Sequence, residues 1–348
     1  MPLSARPEAA TVSDPESGSL GIAIVALLIL LPLSLLAPVR SASAVGIDWV
    51  DVPGPGNACD EQATGCFGAV ATNYQISRTE VTNAQYAEFL NAKAASDPFG
   101  LYNPSMASGQ GGIVRSGSPG SYVYSTIVGR GEMPVVFVSF FDALRFANWL
   151  HNGQGNGDTE SGAYTLLGGT ATPSNGATVV REPGATVVVP LEDEWYKAAY
   201  YDADSDLYYD YPAGSDDVMT CQAGGLSPNA ANCLGGPGGL VAVGSYAGSA
   251  GPNGTFDQGG NVYEWTETLV AQNRRLRGGS WSSSASTTGA ASGSFTAPAT
   301  ESQQTGMRVA TPSGGAAVPA SSSVGLGLLG GALAVLGGRR IRRTATEP

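Results

Sequence analysis

The chain has 348 residues, of which 42% are hydrophobic and only 13% are charged, and it contains 49 glycines and 22 prolines. This composition predicts a globular protein with many turns and little regular secondary structure. The formal net charge of −12 excludes nucleic acid as an expected partner, because binding to phosphate requires a basic surface.

The N-terminus has the pattern of an export signal. An apolar stretch runs from Leu20 to Leu36, and the small residues Ala42–Ala44 follow it in the pattern of a cleavage site. We therefore predict a signal peptide over residues 1–44 and a mature chain that starts at Val45. The leader before the apolar stretch is long, and its acids Glu8, Asp14 and Glu16 outnumber its one base, Arg6, which leaves open an uncleaved anchor or a start codon further downstream.

The four cysteines are Cys59, Cys66, Cys221 and Cys233. They allow three pairings, and in an oxidising compartment the two short spacings favour Cys59–Cys66 and Cys221–Cys233. A zinc site is disfavoured, because zinc needs thiolate or imidazole ligands and His151 is the only histidine.

Two capping boxes predict the main helices. Thr82 and Gln85 have the spacing of a capping box ahead of an apolar face, and Ser139 and Asp142 repeat the pattern. The second helix ends at His151, which we interpret as favouring the helix dipole and not as a catalytic group.

Other stretches are predicted around these helices. A strand begins at Tyr74, another spans Met133–Val138, and residues 96–131 and 152–185 have the composition of loops. The three acids Glu192–Glu194 suit the first turn of a third helix, where free amide groups favour negative charge.

The stretch Asp257–Trp281 has the densest pattern in the sequence. Two glycine pairs bracket a strand-like run, which carries Glu264 between Tyr263 and Trp265. An acid in such a run is costly to bury without a partner. The residues alone predict a turn, a strand and a second turn, with Glu264 bonded to backbone amides.

The C-terminus combines an apolar segment with a basic tail. Val324–Leu336 is apolar, and four arginines follow within residues 339–343. Because basic residues stay on the cytoplasmic side of a membrane, we predict a linker over 312–323, a membrane segment over 324–338 and a cytoplasmic tail over 339–348. The layout resembles the PEP-CTERM sorting tail of Gram-negative bacteria, although the motif here is Val-Pro-Ala.

Two blocks within the central stretch resemble the signature of the formylglycine-generating-enzyme domain, also called the sulfatase-modifying-factor domain. They are Gly260–Trp265, which reads G-N-V-Y-E-W, and Arg277–Trp281, which reads R-G-G-S-W. Further blocks agree in order at Glu80–Asn83, 142–150, Val187–Trp195 and Gly306–Ala310. The resemblance implies a single α+β domain over residues 45–311, of the loop-rich, C-type-lectin-like type.

The resemblance also implies which residues could carry chemistry. The enzymes of this family oxidise a substrate cysteine with two thiols that hold copper(I), and the matching positions are Ser283 and Thr288. Hydroxyl groups are hard ligands and stay protonated near neutral pH, so they cannot replace a thiolate pair. Related sulfoxide synthases hold iron with several histidines, so neither copper nor iron is expected. Cys221 and Cys233 remain open as substitutes from another loop.

A structural calcium ion is the cofactor that the resemblance still implies. The matching positions are Asp257, Gly260, Val262 and Glu264, which offer carboxylate and carbonyl oxygens of the kind that calcium prefers.

We therefore expect an exported, membrane-anchored binding or structural domain without catalysis. Its ligand, a protein or glycan, would contact the loops after the second block. The candidate binding residues are Arg277, Ser280, Trp281 and Ser283. The alternative is an enzyme of this family with altered chemistry at Ser280, Ser283 or Arg277.

Overall fold

A computed structural model describes residues 44–312. The predicted signal peptide, the linker beyond residue 312, the membrane segment and the basic tail lie outside these described residues. Between residues 44 and 312, none of the helices has the length and apolarity needed to cross a membrane.

Three α-helices lie at Asn83–Lys93 (α1), Phe140–His151 (α2) and Glu192–Tyr200 (α3). Both predicted capping boxes are present. The side chains of Thr82 and Ser139 accept from the backbone of the third helical residue, and the side chain of that residue accepts in return. The predicted third helix is also confirmed, although its N-cap, Leu191, has no side-chain oxygen to offer.

The strands are short. They are β1 (Trp49–Val52), β2 (Asp60–Gln62), β3 (Gly65–Phe67), β4 (Tyr74–Ser77), β5 (Ile113–Ser116), β6 (Val123–Thr126), β7 (Tyr201–Asp202), β8 (Leu207–Tyr208), β9 (Thr220–Cys221), β10 (Ala230–Ala231), β11 (Tyr263–Val270), β12 (Asn273–Arg277), β13 (Ser294–Thr296), β14 (Thr305–Gly306) and β15 (Ala310–Pro312). Single 3-10 turns lie at Pro104–Ala107 and Ala285–Thr288.

Two sheets organise the domain. The first has the order β1-β4-β15, so the first and last strands flank β4, and Ile76 pairs with both Val50 and Ala310. The second has the order β13-β12-β11-β14, in which β11 and β12 form an antiparallel hairpin and β14 runs parallel to β11. The remaining strands form two-stranded pairs, so most of the segment 44–312 is loop.

The hydrophobic core lies where α1 and α2 meet these sheets. Four aromatic rings, those of Tyr86, Phe89, Phe146 and Trp149, pack with centroids 5.3 to 6.0 Å apart. All four side chains are almost fully buried, and each contributes roughly 1.5–3 kcal/mol by leaving water. These observations confirm a single α+β domain with little regular structure.

The strand predicted over Met133–Val138 is wrong. Only Pro134 makes an isolated bridge, to Thr82, and Phe137 has a left-handed backbone with φ of 61°. The valines of this run are buried, so its apolar pattern reflects an irregular segment that crosses the core. The region 96–131, predicted as loops, contains the β5–β6 hairpin.

Both predicted disulfides are confirmed. Cys59 is bonded to Cys66 and Cys221 to Cys233, with 7 and 12 residues of sequence separation. All four cysteines of the sequence are therefore oxidised in this structure.

Candidate functional site

The loop Asp257–Asn261 has an unusual backbone. Asp257, Gly260 and Asn261 have φ values of 60°, 90° and 60°, all in the left-handed region. The turn is held on two sides, because Gly260 donates to the Gly278 carbonyl and Asn261 donates to the Asn232 carbonyl, each at 2.8 Å. A Cβ atom at Gly260 would lie 2.3 Å from the Asn232 carbonyl oxygen, so this position requires glycine.

Glu264 pairs with an arginine from the end of the domain. Its Oε2 accepts from Arg308 Nε at 2.5 Å and from Trp195 Nε1 at 2.6 Å, and its Oε1 accepts from Arg308 Nη2 at 2.7 Å. Both charged side chains are 0% exposed. The sequence-based expectation of backbone amide partners for Glu264 is therefore wrong, because a guanidinium supplies the charge compensation that burial demands.

A second acid, Asp257, lies in the loop itself. Its Oδ2 accepts from the Gly244 backbone amide at 2.5 Å. Burial raises the pKa of this carboxyl to about 6, against the opposing effect of that hydrogen bond. Asp257 is therefore buried and is not ion-paired in the way that Glu264 is.

A third acid, Glu80, reaches the loop from a distant part of the sequence. Its Oε1 accepts from Asn261 Nδ2 at 3.1 Å, whereas its Oε2 is buried without a hydrogen-bond partner. Burial raises the pKa of Glu80 well above its ordinary value, and the charges of Asp257 and Glu264 raise it further. Of these three buried carboxylates, only Glu264 bonds to Arg308, whose positive charge also lowers the pKa of Glu80 and of Asp257 against the effect of burial.

The predicted calcium ligands come together only in part. In residues 44–312 we find no group of three or more His, Cys, Asp or Glu side chains arranged to hold a metal ion. Glu264 shares its carboxylate with Arg308, so an ion there would depend on Asp257 and on backbone carbonyls such as those of Gly260 and Val262. The Asp257 carboxylate and the unpaired Glu80 oxygen nevertheless are hard oxygen donors of the kind that calcium prefers. Calcium stays a prediction.

Hydroxyl groups with internal partners stand at the two family cysteine positions. Ser283 is half-buried, and its Oγ lies 2.9 Å from Ser280 Oγ. Thr288 is fully buried, and its Oγ1 donates to the Ala285 carbonyl at 2.8 Å.

The disulfide Cys221–Cys233 lies beside the segment that carries Ser283 and Thr288. The Leu234 backbone amide donates to the Ser283 carbonyl at 2.8 Å, and Ala285 packs against the cluster that includes Cys233. Sequence spacing gave no indication of this proximity. Because the two sulfurs are bonded to each other, they offer no thiolate ligand in this state.

Two of the four expected binding residues are buried. Arg277 is 2% exposed, donates to Glu192 through Nε and Nη2, and stacks over the rings of Phe67 and Tyr196. Ser280 is fully buried. The side chains of Arg277 and Ser280 therefore lie inside the protein, beneath the segment Arg277–Trp281.

Trp281 and Ser283 are half-buried, so of the four they are the ones that a surface ligand could reach. The backbone amide of Trp281 donates to the Asn261 carbonyl at 2.9 Å, which ties this surface to the acidic loop.

Glu80 and Arg308 are the residues that sequence reasoning missed. Both belong to blocks that carry the family resemblance, but no local pattern gave either residue a role. Their positions in those blocks were the available signal.

Comparison with known proteins identifies the family. The model of the "Sulfatase-modifying factor enzyme 1-like domain" family matches residues 63–312, so the chain belongs to this family. The crystal structure of CarF is similar over 77% of this chain and 99% of its own, with 22% identity and a TM-score of 0.52. At this identity the likeness shows the fold alone, which is the α+β, C-type-lectin-like fold of the family.

Two other solved structures are similar over comparable lengths. The Treponema denticola variable protein 1 matches with 20% identity, a TM-score of 0.49, and coverage of 79% of this chain and 99% of its own. PvdO from Pseudomonas aeruginosa matches with 17% identity, a TM-score of 0.44, and coverage of 76% and 94%. No curated protein sequence matches this chain.

Proposed function

We propose that this family member is an exported, membrane-anchored binding or structural domain that does not generate formylglycine. The proposal rests on the residues at the two thiol positions. Ser283 and Thr288 provide hydroxyl groups with internal partners, and the buried Thr288 has little access to a substrate. Copper(I) prefers soft thiolate ligands, which these side chains cannot supply.

The alternative, an enzyme with altered chemistry, would need reactive groups that a substrate can reach. Arg277 is committed to Glu192 and to two aromatic rings, and Ser280 is fully buried. Ser283 is the remaining candidate, and its Oγ has a serine hydroxyl as its neighbour and no histidine to activate it. These contacts favour the binding domain.

The proposed ligand surface is the loop region around Trp281 and Ser283, and its ligand is a protein or a glycan. Anchoring through residues 324–338 would place this domain at the outer side of a membrane. A calcium ion at the loop Asp257–Asn261 would stabilise the folded state, by about 2.7 kcal/mol at 100 times its dissociation constant.

An activity assay tests the central part of this proposal. The purified protein, with copper supplied, is incubated with a peptide that carries a sulfatase-motif cysteine, and the peptide mass is followed. We expect no aldehyde product, and we expect little turnover even from the double variant Ser283→Cys/Thr288→Cys. Formation of aldehyde by the unchanged protein would overturn the proposal.

Export is tested separately on protein from the membrane fraction. N-terminal sequencing should begin at Val45. A mature chain that retains the apolar stretch Leu20–Leu36 would contradict cleavage at the predicted site.

A further inference from the structure

Val45, the residue that follows the predicted cleavage pattern, is held inside the folded domain. Its side chain is 9% exposed and belongs to the main hydrophobic core, whereas Ala44 is exposed. The backbone amide of Val45 donates to Gln154 Oε1 at 2.6 Å, and the Val45 carbonyl accepts from Gln154 Nε2 at 2.9 Å. One side chain, 109 residues away in sequence, therefore engages both backbone groups of Val45.

The turn after α2 positions the Gln154 side chain. Gln154 has a left-handed backbone with φ of 66°, which is uncommon for a residue other than glycine and needs support from its surroundings. Its amide donates to the Trp149 carbonyl and its carbonyl accepts from the Gly157 amide, each at 2.8 Å. The contact between Gln154 and Val45 therefore forms only when α2 and this turn have folded.

The next residue of the chain is held from α1. Gln85 Nε2 donates to the Gly46 carbonyl at 2.8 Å, while Gln85 Oε1 accepts from the Thr82 amide in the capping box. An endopeptidase binds residues on both sides of the bond that it cuts, so its sites lie in exposed backbone without such contacts. In the folded domain, the residues directly after the bond Ala44–Val45 do not meet this requirement.

We propose that the bond Ala44–Val45 is cut only before the domain folds, so that a signal peptidase must act before Val45 docks against Gln154. The hydrolysis consumes one water molecule, leaves a carboxylate on Ala44 and gives Val45 an α-ammonium group. This group donates to Gln154 Oε1 in place of the amide, in a charge-assisted hydrogen bond.

The inference rests on the cleavage after Ala44 that the proposed function includes, and it adds an order of events. The chain reaches the peptidase unfolded, and folding and disulfide formation follow the cut. A precursor that folds first keeps the apolar stretch Leu20–Leu36 attached to the domain. The contact between Gln154 and Val45 therefore decides between a cut chain and an uncut one, according to which step is faster.

The test uses the full chain as a precursor, purified in detergent, and a purified bacterial signal peptidase. The enzyme is added either while the precursor is diluted from urea or after refolding and disulfide formation are complete. The variants are Gln154→Ala, Gln62→Ala and a short Gly-Ser insertion between Ala44 and Val45. Gln62 is a matched control, because it is also a half-buried glutamine but bonds to Asp60. Mass spectrometry identifies the bond that is cut.

After folding, the unchanged precursor should be cut at least about tenfold more slowly than during refolding, because cleavage then depends on transient opening of the segment at Val45. Folded Gln154→Ala should be cut faster than the unchanged precursor, and Gln62→Ala should match it. The insertion moves the bond away from the held residues, so this variant should be cut equally fast in both states. If Gln154→Ala does not fold, the insertion variant decides alone.

Equal cleavage of the unchanged precursor in both states would overturn the inference. Resistance of the folded insertion variant would also overturn it, because burial of Val45 would then not be the cause. No gain in Gln154→Ala would contradict the role of Gln154. These results leave the predicted signal peptide intact. If the peptidase does not cut after Ala44 even during refolding, that part of the proposed function fails together with this inference, so the two failures are distinguishable.

Discussion

Glu264 and Glu80 are two buried carboxylates in the same part of the domain, with opposite surroundings. Glu264 is fully enclosed; Arg308 donates to both of its oxygens, and Trp195 donates to one of them. Glu80 is equally buried, but it accepts one hydrogen bond from Asn261 and leaves its other oxygen unpaired. Burial alone therefore does not reveal a structural role.

The difference between these surroundings indicates which of the two carboxylates stabilises the fold. A buried pair gains little over an apolar pair, but removing one partner leaves a charge without compensation. Glu80 has a different cost in the folded state, that of a buried oxygen without a hydrogen-bond donor. Such a cost is common at sites that bind something, because the ligand supplies the missing partner.

The largest effect is expected from breaking the Glu264 pair. Arg308→Met leaves Glu264 buried without a counter-charge, so we expect a loss of about 3–5 kcal/mol in the free energy of unfolding. Denaturant titration measures the change. The double variant Glu264→Gln/Arg308→Met should recover a large part of the loss, and a cost below about 1 kcal/mol for the single variant would show that the pair is unimportant.

The second prediction concerns the disulfide next to the loop. Cys233 adjoins Asn232, whose carbonyl holds the turn at Asn261. Replacing Cys221 and Cys233 with serine should cost about 3 kcal/mol, and it should weaken the calcium response as well.

The matched control for this variant is the removal of the other disulfide. Replacing Cys59 and Cys66 with serine should destabilise the domain slightly less, because the loop that it closes is shorter. It should leave the calcium response unchanged. Equal effects of the two variants on calcium affinity would contradict a specific role for the Cys221–Cys233 bond.

Features set by near neighbours could be predicted from the sequence. The capping boxes at Thr82 and Ser139 depend on residues three positions apart, and both are present. The disulfides followed from short spacings. The strand at Met133–Val138 failed, because an apolar run does not distinguish a sheet strand from an irregular buried segment.

The partners within the site could not be predicted in this way. Arg308 is 44 residues from Glu264, and Asn261 is 181 residues from Glu80. Contacts at these separations depend on the whole fold. For the same reason Arg277, which looked available to a ligand, proved to be buried against Glu192.

The third prediction is a gain in the free energy of unfolding, whereas the first is a loss. In chelator, Glu80→Gln removes a buried acid with an unpaired oxygen, so the free energy of unfolding should rise by about 1–2 kcal/mol. Glu192→Gln, which breaks an ion pair with Arg277, should lower it under the same conditions. Denaturant titration of both variants checks the contrast, and destabilisation by Glu80→Gln would mean that the Asn261 contact outweighs the cost of burial.

Asp142, the capping residue of α2, is a third and milder case of a buried carboxylate. Its Oδ2 accepts from the backbone amide and the hydroxyl of Ser139, at 2.8 and 2.7 Å, without an ion-pair partner. Burial raises its pKa to about 7, although these hydrogen bonds oppose the shift. Because the folded state holds the proton more tightly than the unfolded state, the contribution of Asp142 to stability is fully present below about pH 4 and is lost as pH rises towards 7.

The smallest effect is therefore expected at this cap. Ser139→Ala removes the hydroxyl that accepts from the Asp142 backbone amide and donates to the Asp142 carboxylate. It should lower the free energy of unfolding by about 1 kcal/mol. It should also steepen the loss of stability between about pH 4 and pH 7, because the ionised Asp142 loses a donor. In Asp142→Asn the side chain is neutral, so this part of the pH dependence should disappear. Melting temperatures across that pH range measure both changes, and an unchanged slope in Asp142→Asn would show that Asp142 ionises without cost because its hydrogen bonds compensate for burial.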